Sequence, residues 1–308
     1  MSMSSENRPA LSRADAKRAR LREGLAAGPV VAVGAHDAMS ARLIEGHGFD
    51  AVWVSGFGVS AMAYGLPDLN LVTMTETLDA TRRIEGVTDL PVVVDCDNGY
   101  GALTNVVRTA VDFDRAGVAA ICIEDNLFPK RNSLYQGKSR RELVETKEQA
   151  RRLRAAKAAQ ESPLFVLIAR VEALIAGHGV AAAIERAVAY AEAGADAILI
   201  HSKDKTLGQI DGFLDEWSKT GLTTPLVAVP TLFPDYTADQ LHSKGFSMVI
   251  LANQPMRASV QAMEATLRTL REEGKPAAAD PHIAKVDHIF DLVHTRETIE
   301  AEEADDSA

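Results

Sequence analysis

The sequence contains only two cysteines, Cys96 and Cys122, and no apolar run that approaches the ~18 residues needed to cross a membrane. The residues before Pro29 are rich in arginine and include no apolar block, so we expect no secretory signal. These absences favour a cytoplasmic protein with reduced thiols and no membrane partner. Basic character is also lacking: the net charge is -10 and the pI is about 5.3, which argues against a nucleic-acid partner.

A dinucleotide-binding fingerprint is missing as well. The first strand-like segment, 30–33, is followed by Gly34-Ala-His36-Asp37. An open doubly wound sheet that binds a dinucleotide would carry Gly-x-Gly-x-x-Gly at this point. The sequence therefore argues against that arrangement.

Eight short apolar segments predict buried strands. Four of them follow a glycine of the kind found just past a helix, at 48–55, 117–124, 194–201 and 245–252. The other four lie at 30–33, 91–95, 163–170 and 225–229. The intervening segments have helical periodicity, and one of them opens with a capping box formed by Thr73 and Glu76.

Strict alternation of strands and helices implies parallel pairing, and eight such units in about 250 residues match a closed (β/α)8 TIM barrel. We expect a single-domain barrel over 26–275, preceded by a helical and partly disordered extension at 1–25. Extra C-terminal helices follow at 276–299 and are expected to pack on a neighbouring subunit. The acidic end, 300–308, is expected to be disordered.

Polar residues end most of the predicted strands, at the face where barrels of this kind carry their active sites. In chain order they are Ser55-Gly56, Asp95-Cys96-Asp97, Glu124-Asp125, Arg170-Val-Glu172, His201-Ser202-Lys203 and Asn253.

The acidic members of this set indicate a metal site. Asp95 and Asp97 are two residues apart on an extended segment, so both can face the barrel mouth, and Glu124 ends the next strand. Converging carboxylates raise one another's pKa values, and a hard cation such as Mg²⁺ or Mn²⁺ relieves that repulsion. The alternative is that the two aspartates cap the next helix and Glu124 pairs with Arg170. Three carboxylates at neighbouring strand ends favour the metal.

Two further strand ends suit an anionic ligand. Arg170 can grip a pair of phosphoryl or carboxylate oxygens, or form a structural ion pair with Glu172 or Glu124. His201 can act as a ligand, an acid–base group or an anion donor, or be a hydrogen-bonded core histidine. Their positions at strand ends favour function for both.

The polar segment 125–139 is predicted to be a lid at the same face. Lys130, Arg131, Asn132 and Ser133 could close over an anion and exclude water. A merely solvated loop is the alternative, and it predicts that mutation of Asn132 has no effect.

Together these pieces resemble the isocitrate lyase and phosphoenolpyruvate mutase superfamily over roughly 34–259, and they resemble its mutase branch most. The motifs are Ser55-Gly56-Phe57, Asp95-Cys-Asp97-Asn-Gly99-Tyr-Gly101, Glu124-Asp125, Phe128-Pro-Lys130-Arg-Asn132-Ser133-Leu, Ala169-Arg170-Val-Glu172-Ala and Ala195-Asp-Ala-Ile-Leu-Ile-His201-Ser202.

The resemblance implies a homotetramer of dimers whose eighth barrel helix is swapped between subunits. It implies Mg²⁺ held by Asp95 with Asp97 and Glu124, partly through water. The catalytic residues that it implies are Asp68, Lys130, Asn132, Arg170 and His201. The substrate-binding residues that it implies are Ser55, Gly56, Phe57, Ser133 and Arg170.

The implied reaction interconverts phosphoenolpyruvate and 3-phosphonopyruvate by a dissociative phosphoryl transfer that needs positioning and charge stabilisation. Branches that cleave carbon–carbon bonds, including lyases and oxaloacetate decarboxylases, resemble this chain overall. The lyases carry a Lys-Arg-Cys-Gly-His gate with a catalytic cysteine, where this sequence has Asn132 and Ser133. Phosphonopyruvate hydrolases share threonines at the positions of Leu127 and Asn132. Phe57, Tyr64 and Asn126 depart from the mutase pattern.

Overall fold

The structure, a computed structural model, describes residues 11–135 and 141–305. Eight parallel strands form a closed barrel in chain order, and β8 pairs with β1. The strands are β1 Val30–Ala35, β2 Ala51–Val54, β3 Val92–Asp95, β4 Ala120–Glu124, β5 Val166–Val171, β6 Ala197–Ile200, β7 Leu226–Ala228 and β8 Phe246–Leu251. The predicted (β/α)8 TIM barrel is confirmed, and all eight predicted strands are present.

Helices alternate with the strands and surround them. They are α1 Arg13–Ala27, α2 Ala38–Gly46, α3 Gly56–Tyr64, α4 Met74–Glu85, α5 Leu103–Arg115, α6 Thr146–Ala159, α7 Gly179–Glu192, α8 Gly208–Ser218, α9 Ala238–Ser243, α10 Gln254–Glu273, α11 Val286–Leu292 and α12 Thr295–Asp305. The predicted capping box opens α4: Thr73 Oγ1 accepts from the Glu76 N–H, and the Thr73 N–H donates to Glu76 Oε2 at 2.7 Å. Among the described helices, none combines the length and the apolar character that a bilayer span requires.

The strands are apolar on both faces because both faces are buried. One cluster fills the barrel with side chains such as Trp53, Ile168 and Leu199. A second cluster lies between the strands and the helices and includes Val52, Ile121 and similar residues at alternate positions. This two-sided burial is the reason that the strands appear as continuous Val- and Ile-rich runs.

Helix α1 closes the end of the barrel where the strands begin. Leu21 and Leu25 join the inner cluster. Three basic side chains of the helix bind carbonyl oxygens just ahead of β3, β4 and β5: Lys17 Nζ reaches Thr88 at 2.7 Å, Arg18 Nε reaches Val118 at 3.1 Å and Arg22 Nε reaches Leu164 at 2.8 Å. The expected N-terminal extension is therefore helical over this stretch, while residues 1–10 lie outside the described part of the chain.

The C-terminal helices depart from the expectation at one point. Helix α12 runs to Asp305, so residues 300–305 are helical where a disordered tail is expected. Alanine and glutamate, which dominate this stretch, favour the helix. Residues 306–308 lie outside the described residues. Helix α10 exposes an apolar stripe, which we define as Val260, Met263, Leu267 and Leu270.

Candidate active site

A cavity opens at the carboxyl ends of the strands, and nearly all of the predicted site residues line it. Of that set, Gly56 and Asp97 are not on its wall. The lining residues are Trp53, Ser55, Phe57, Asp68, Asp95, Glu124, Lys130, Arg131, Asn132, Ser133, Leu134, Arg170, His201, Val229, Thr231, Ala252 and Asn253.

Gly56 and Asp97 lie directly behind this wall. The Asp97 N–H donates to Asp95 Oδ1 at 3.2 Å. A Cβ at Gly56 would lie 3.2 Å from Asp97 Oδ1 and 3.4 Å from Asp95 Oδ2, so the start of α3 packs closely on both carboxylates. Asp97 has a φ of 50° and is therefore in a left-handed turn, not in the extended segment that the sequence suggests. The two aspartates still meet beside Gly56. They do not cap α5, whose N-cap is Ala102.

Ser55 and the first turn of α3 present hydrogen-bond donors to the cavity. Ser55 Oγ caps the helix by accepting from the Gly58 N–H at 3.1 Å, which leaves its hydroxyl proton free to donate. The first N–H groups of a helix have no intrahelical partner, and they carry the positive end of the helix dipole. This corner of the site suits a carboxylate.

The gate segment, which we define as residues 126–135, reaches across the cavity to Asp68. Asn132 Nδ2 donates to Asp68 Oδ2 at 2.7 Å, and Lys130 Nζ lies 2.8 Å from Asp68 Oδ1. Lys130 also forms an ion pair with Asp97. Burial opposes the charge on Lys130, but Asp68 and Asp97 outweigh it and raise its pKa well above the usual value. Residues 136–139 of the predicted lid lie outside the described part of the chain.

Asn70 joins the gate segment to the acidic residues, a role that no sequence motif predicts. Its Nδ2 donates to Asp97 Oδ2 at 2.9 Å, and its Oδ1 accepts from the Lys130 N–H at 2.6 Å. The residue has a φ of 59°, a conformation that asparagine tolerates better than most residues. Asn70 lies close to Asp68 in the sequence, but the segment Asp68-Leu-Asn70 belongs to none of the motifs quoted above.

Arg170 is paired and still faces the cavity. Its Nε donates to Glu172 Oε1 at 2.6 Å and lies 3.5 Å from Glu124 Oε2, and its Nη2 donates to Ser133 Oγ at 2.8 Å. His201 Nδ1 lies 3.0 Å from Arg170 Nη2. Arg170 therefore forms structural ion pairs and also lines the cavity, where a ligand can reach it.

The ionisable side chains around the cavity have pKa values shifted in different directions. Burial would raise the pKa of Glu172, but Arg170 and the contact with His201 outweigh burial and lower it. Burial, with the nearby charge of Arg170, lowers the pKa of His201, so its ring is neutral at pH 7. Burial raises the pKa of Asp97 to about 7 and the pKa of Glu124 to about 8, although Lys130 opposes both shifts. The acidic side of the cavity therefore has less positive charge than its carboxylates need.

The shortage of positive charge beside these carboxylates shows whether the site fits a metal ion. In the described ranges, no three His, Cys, Asp or Glu side chains converge as a ready ligand set, and Lys130 and Arg170 pair with Asp97 and Asp95. The donor chemistry nevertheless fits: Asp95, Asp97 and Glu124 offer buried oxygen ligands, the type that Mg²⁺ prefers. A divalent cation would also lower the two raised pKa values.

Two residues that the sequence places at strand ends, without a role, support the site in the structure. Asp125 faces away from the cavity, accepts from the Glu172 N–H at 2.9 Å and pairs with Arg186 of α7 at 2.9 Å, which fixes the ends of β4 and β5. On the opposite side, Asn253 lines the cavity with its Oδ1 unpartnered, and its Nδ2 is 3.5 Å from Thr231 Oγ1. Only the strand-end position of Asn253 pointed to it.

Comparison with known proteins identifies the same family by sequence and by structure. The family model for phosphoenolpyruvate phosphomutase matches residues 21–271. The crystal structure of phosphoenolpyruvate phosphomutase from Streptomyces platensis subsp. rosaceus is 42% identical, with a TM-score of 0.89 and coverage of 93% of this chain and 98% of that chain.

Relatives with other activities are similar to a comparable degree. A phosphonopyruvate hydrolase in complex with oxalate and Mg²⁺ is 38% identical, with a TM-score of 0.85 and coverage of 94% of this chain and 98% of that chain. The 2-methylisocitrate lyase of Halalkalibacterium halodurans is 38% identical over 248 residues, which is 80% of this chain and 78% of that protein. The family is therefore clear, while its members differ in reaction.

The strand-end motifs, the closed barrel and these matches agree, and the superfamily resemblance found in the sequence is confirmed. The chain belongs to the phosphoenolpyruvate phosphomutase family of enzymes, within the isocitrate lyase and phosphoenolpyruvate mutase superfamily.

Proposed function

We propose that the protein is a phosphoenolpyruvate mutase that interconverts phosphoenolpyruvate and 3-phosphonopyruvate. The observation that carries the proposal is Asn132, which lies in the gate segment and donates to Asp68 at 2.7 Å. The carbon–carbon lyases that this chain resembles carry a catalytic cysteine in their gate. An amide cannot replace a thiol as an acid or a nucleophile, but it can donate hydrogen bonds to a phosphoryl oxygen.

The substrate's carboxylate and its neighbouring oxygen would lie at the start of α3. Ser55 would donate through its hydroxyl, and Gly56 and Phe57 through backbone N–H groups. Gly56 allows this approach because any side chain there would press on Asp95 and Asp97.

The phosphoryl group would lie between the gate segment and β5. Arg170 and Asn132 would donate to its oxygens, which spreads the negative charge that a dissociative transfer develops. Ser133 would lie beside them and orient Arg170, because its hydroxyl accepts from Arg170 and donates to Glu172, both at 2.8 Å. The neutral ring of His201 has two tautomers here: Nδ1–H can donate to Glu172 Oε1 at 3.1 Å, or Nδ1 can accept from Arg170 Nη2 at 3.0 Å. The second tautomer is the one proposed for the reaction, because it leaves Nε2–H to donate to the bridging oxygen. Asp68 and Lys130 would hold the gate shut.

Mg²⁺, with Mn²⁺ as an alternative, is the proposed cofactor, held by Asp95, Asp97 and Glu124. Its chemistry there would be to neutralise the substrate's oxygens and orient them. The raised pKa values of Asp97 and Glu124 and the Mg²⁺ in the related hydrolase complex support this proposal.

The deciding experiment follows phosphorus NMR of phosphonopyruvate incubated with the protein and Mg²⁺. The mutase reaction converts the phosphonate signal into that of phosphoenolpyruvate. Inorganic phosphate without phosphoenolpyruvate would instead identify a phosphonopyruvate hydrolase, the second candidate, which the 38% identical hydrolase structure favours. Pyruvate released from oxaloacetate at enzymatic rates would identify a lyase or decarboxylase.

The proposed assembly is a homotetramer of dimers with α10 exchanged between subunits. The apolar stripe of α10 supports it, because Leu267 is 65% exposed and Met263 is 48% exposed in the single chain. Exposed apolar stripes on a helix are typical of protein–protein contacts.

A further inference from the structure

Arg141 holds the backbone of the gate segment from the outside. Its Nη1 donates to the carbonyl oxygen of Arg131 at 2.8 Å, and its Nη2 donates to those of Asn132 at 2.7 Å and Tyr135 at 3.0 Å. One guanidinium therefore binds three carbonyl groups in a stretch of five residues.

Arg141 is itself fixed at the base of the gate segment. The Leu127 N–H donates to the Glu142 carbonyl at 2.9 Å, the Val144 N–H donates to the Asp125 carbonyl at 2.8 Å, and Asn126 and Leu143 form an antiparallel bridge. The chain that enters the gate segment and the chain that follows Arg141 are thus paired. Arg141 reaches from this paired base to the gate segment's far end.

The carbonyl groups that Arg141 binds belong to the residues whose side chains close the cavity. Asn132 binds Asp68, and the neighbouring Ser133 binds Glu172 at 2.8 Å and Arg170 at 2.8 Å. Arg131, the arginine within the gate segment, does not supply this restraint, because in the described contacts its Nη1 reaches the carbonyl groups of Pro129 and Lys130, its own chain neighbours.

We propose that Arg141 is a positioning residue that latches the gate segment shut, and that this latch keeps water from the phosphoryl group during transfer. The inference rests on the proposed mutase function. With the latch open, water would attack phosphorus while the carbon–phosphorus bond breaks. One proton of that water would end on C3, so the products would be pyruvate and inorganic phosphate and no other reactant is needed.

The chemistry requires an arginine. Its planar fork presents five N–H donors, whereas a lysine presents one point of charge that cannot span three carbonyl groups. Each charge-assisted hydrogen bond that is lost should increase the open population on the order of tenfold.

The test compares Arg141→Ala and Arg141→Lys with a matched control, Arg151→Ala. Arg151 lies on α6, is exposed and pairs only with Glu148 in the described contacts, at 2.8 Å and 3.0 Å. Hydrogen exchange of residues 126–135 reports gate opening, and phosphorus NMR reports the ratio of phosphate to phosphoenolpyruvate formed from phosphonopyruvate. We expect at least about tenfold faster exchange and a raised phosphate fraction in Arg141→Ala, an intermediate result in Arg141→Lys and no change in the control.

Exchange at the wild-type rate in Arg141→Ala would overturn the latch. Faster exchange with an unchanged phosphate fraction would overturn the exclusion of water. A wild-type protein that forms only phosphate would refute the proposed function instead, and the exchange measurement would still decide the latch. Melting temperatures separate both results from a general loss of folding, because the contacts of Arg141 described above lie in the gate segment, outside the barrel.

Discussion

Asn132 donates a hydrogen bond of 2.7 Å to Asp68, which lies 64 residues earlier in the chain. This contact joins the gate segment after β4 to the loop between α3 and α4. Asp68 also binds Lys130, so one carboxylate receives two residues of the gate segment. Closure of the cavity therefore depends on a residue that belongs to neither the gate segment nor the strand ends.

Replacing Asn132 by alanine should lower kcat by about 10²-fold, because it removes both the contact with Asp68 and a donor to the phosphoryl group. Steady-state rates with phosphonopyruvate measure the effect. Tyr135→Phe is the control, since Tyr135 is 59% exposed and its phenol does not line the cavity. Equal rates in Asn132→Ala and the wild type would support the solvated-loop interpretation.

Asp95→Ala should abolish activity and Mg²⁺ binding together, because the remaining carboxylates are paired with Lys130 and Arg170. Titration calorimetry with Mg²⁺ and rates before and after chelation provide the measurements. Asp79→Ala removes an exposed carboxylate that pairs with Arg83 and should change neither. Full activity of a chelated Asp95→Ala protein would remove this residue from the mechanism.

Asn70→Gly should lower kcat on the order of tenfold to a hundredfold with little change in melting temperature. Glycine accepts the φ of 59°, so the substitution deletes the links to Asp97 and Lys130 without straining the backbone. Asn70→Ala has the same missing side chain and should in addition be less stable. An unchanged kcat in Asn70→Gly would show that these links do not position the site.

Asp15 should make the free energy of unfolding depend on pH in the acidic range. Hydrogen bonds from Ser162 and Arg18 lower its pKa below the usual value of 3.8. A carboxylate with a lowered folded-state pKa stabilises the protein above the unfolded-state pKa, and this contribution is lost as the pH falls through the folded-state pKa. The melting-temperature difference between wild type and Asp15→Asn should therefore be constant at neutral pH and shrink below about pH 4. A difference that stays constant down to pH 3 would contradict this assignment.

Leu267→Lys should reduce the molar mass of the assembly, because it places a charge in the apolar stripe of α10. Light scattering after size-exclusion chromatography measures the mass. Glu272→Lys adds a lysine to the opposite face of the same helix and should leave the mass unchanged. If both variants keep the wild-type mass, the stripe is not the subunit contact.

The barrel could be predicted from the sequence because each strand is apolar on both faces and bounded by glycine or proline. The strand ends then followed from geometry alone. Contacts between the loops that cross the carboxyl end of the barrel could not be predicted from the sequence. Asn70 acts through Asp97 and Lys130, and Asp125 acts through Arg186, all of them far away in sequence. Arg141 binds the backbone carbonyl groups of its own loop, which no sequence pattern indicates. Asp97 was assigned to the right cluster although its backbone conformation was misjudged, since periodicity ends where the strand does.

Helix α1 fills the barrel end where the strands begin, and Lys17, Arg18 and Arg22 bind it there. Within the described part of the chain, the cavity opens at the other end, where the strands finish, so ligands enter and leave from that side. In the proposed mutase reaction, phosphonopyruvate and phosphoenolpyruvate would share this opening, so each compound should behave as a competitive inhibitor of the other's turnover, and a new molecule would enter only after the previous one has left.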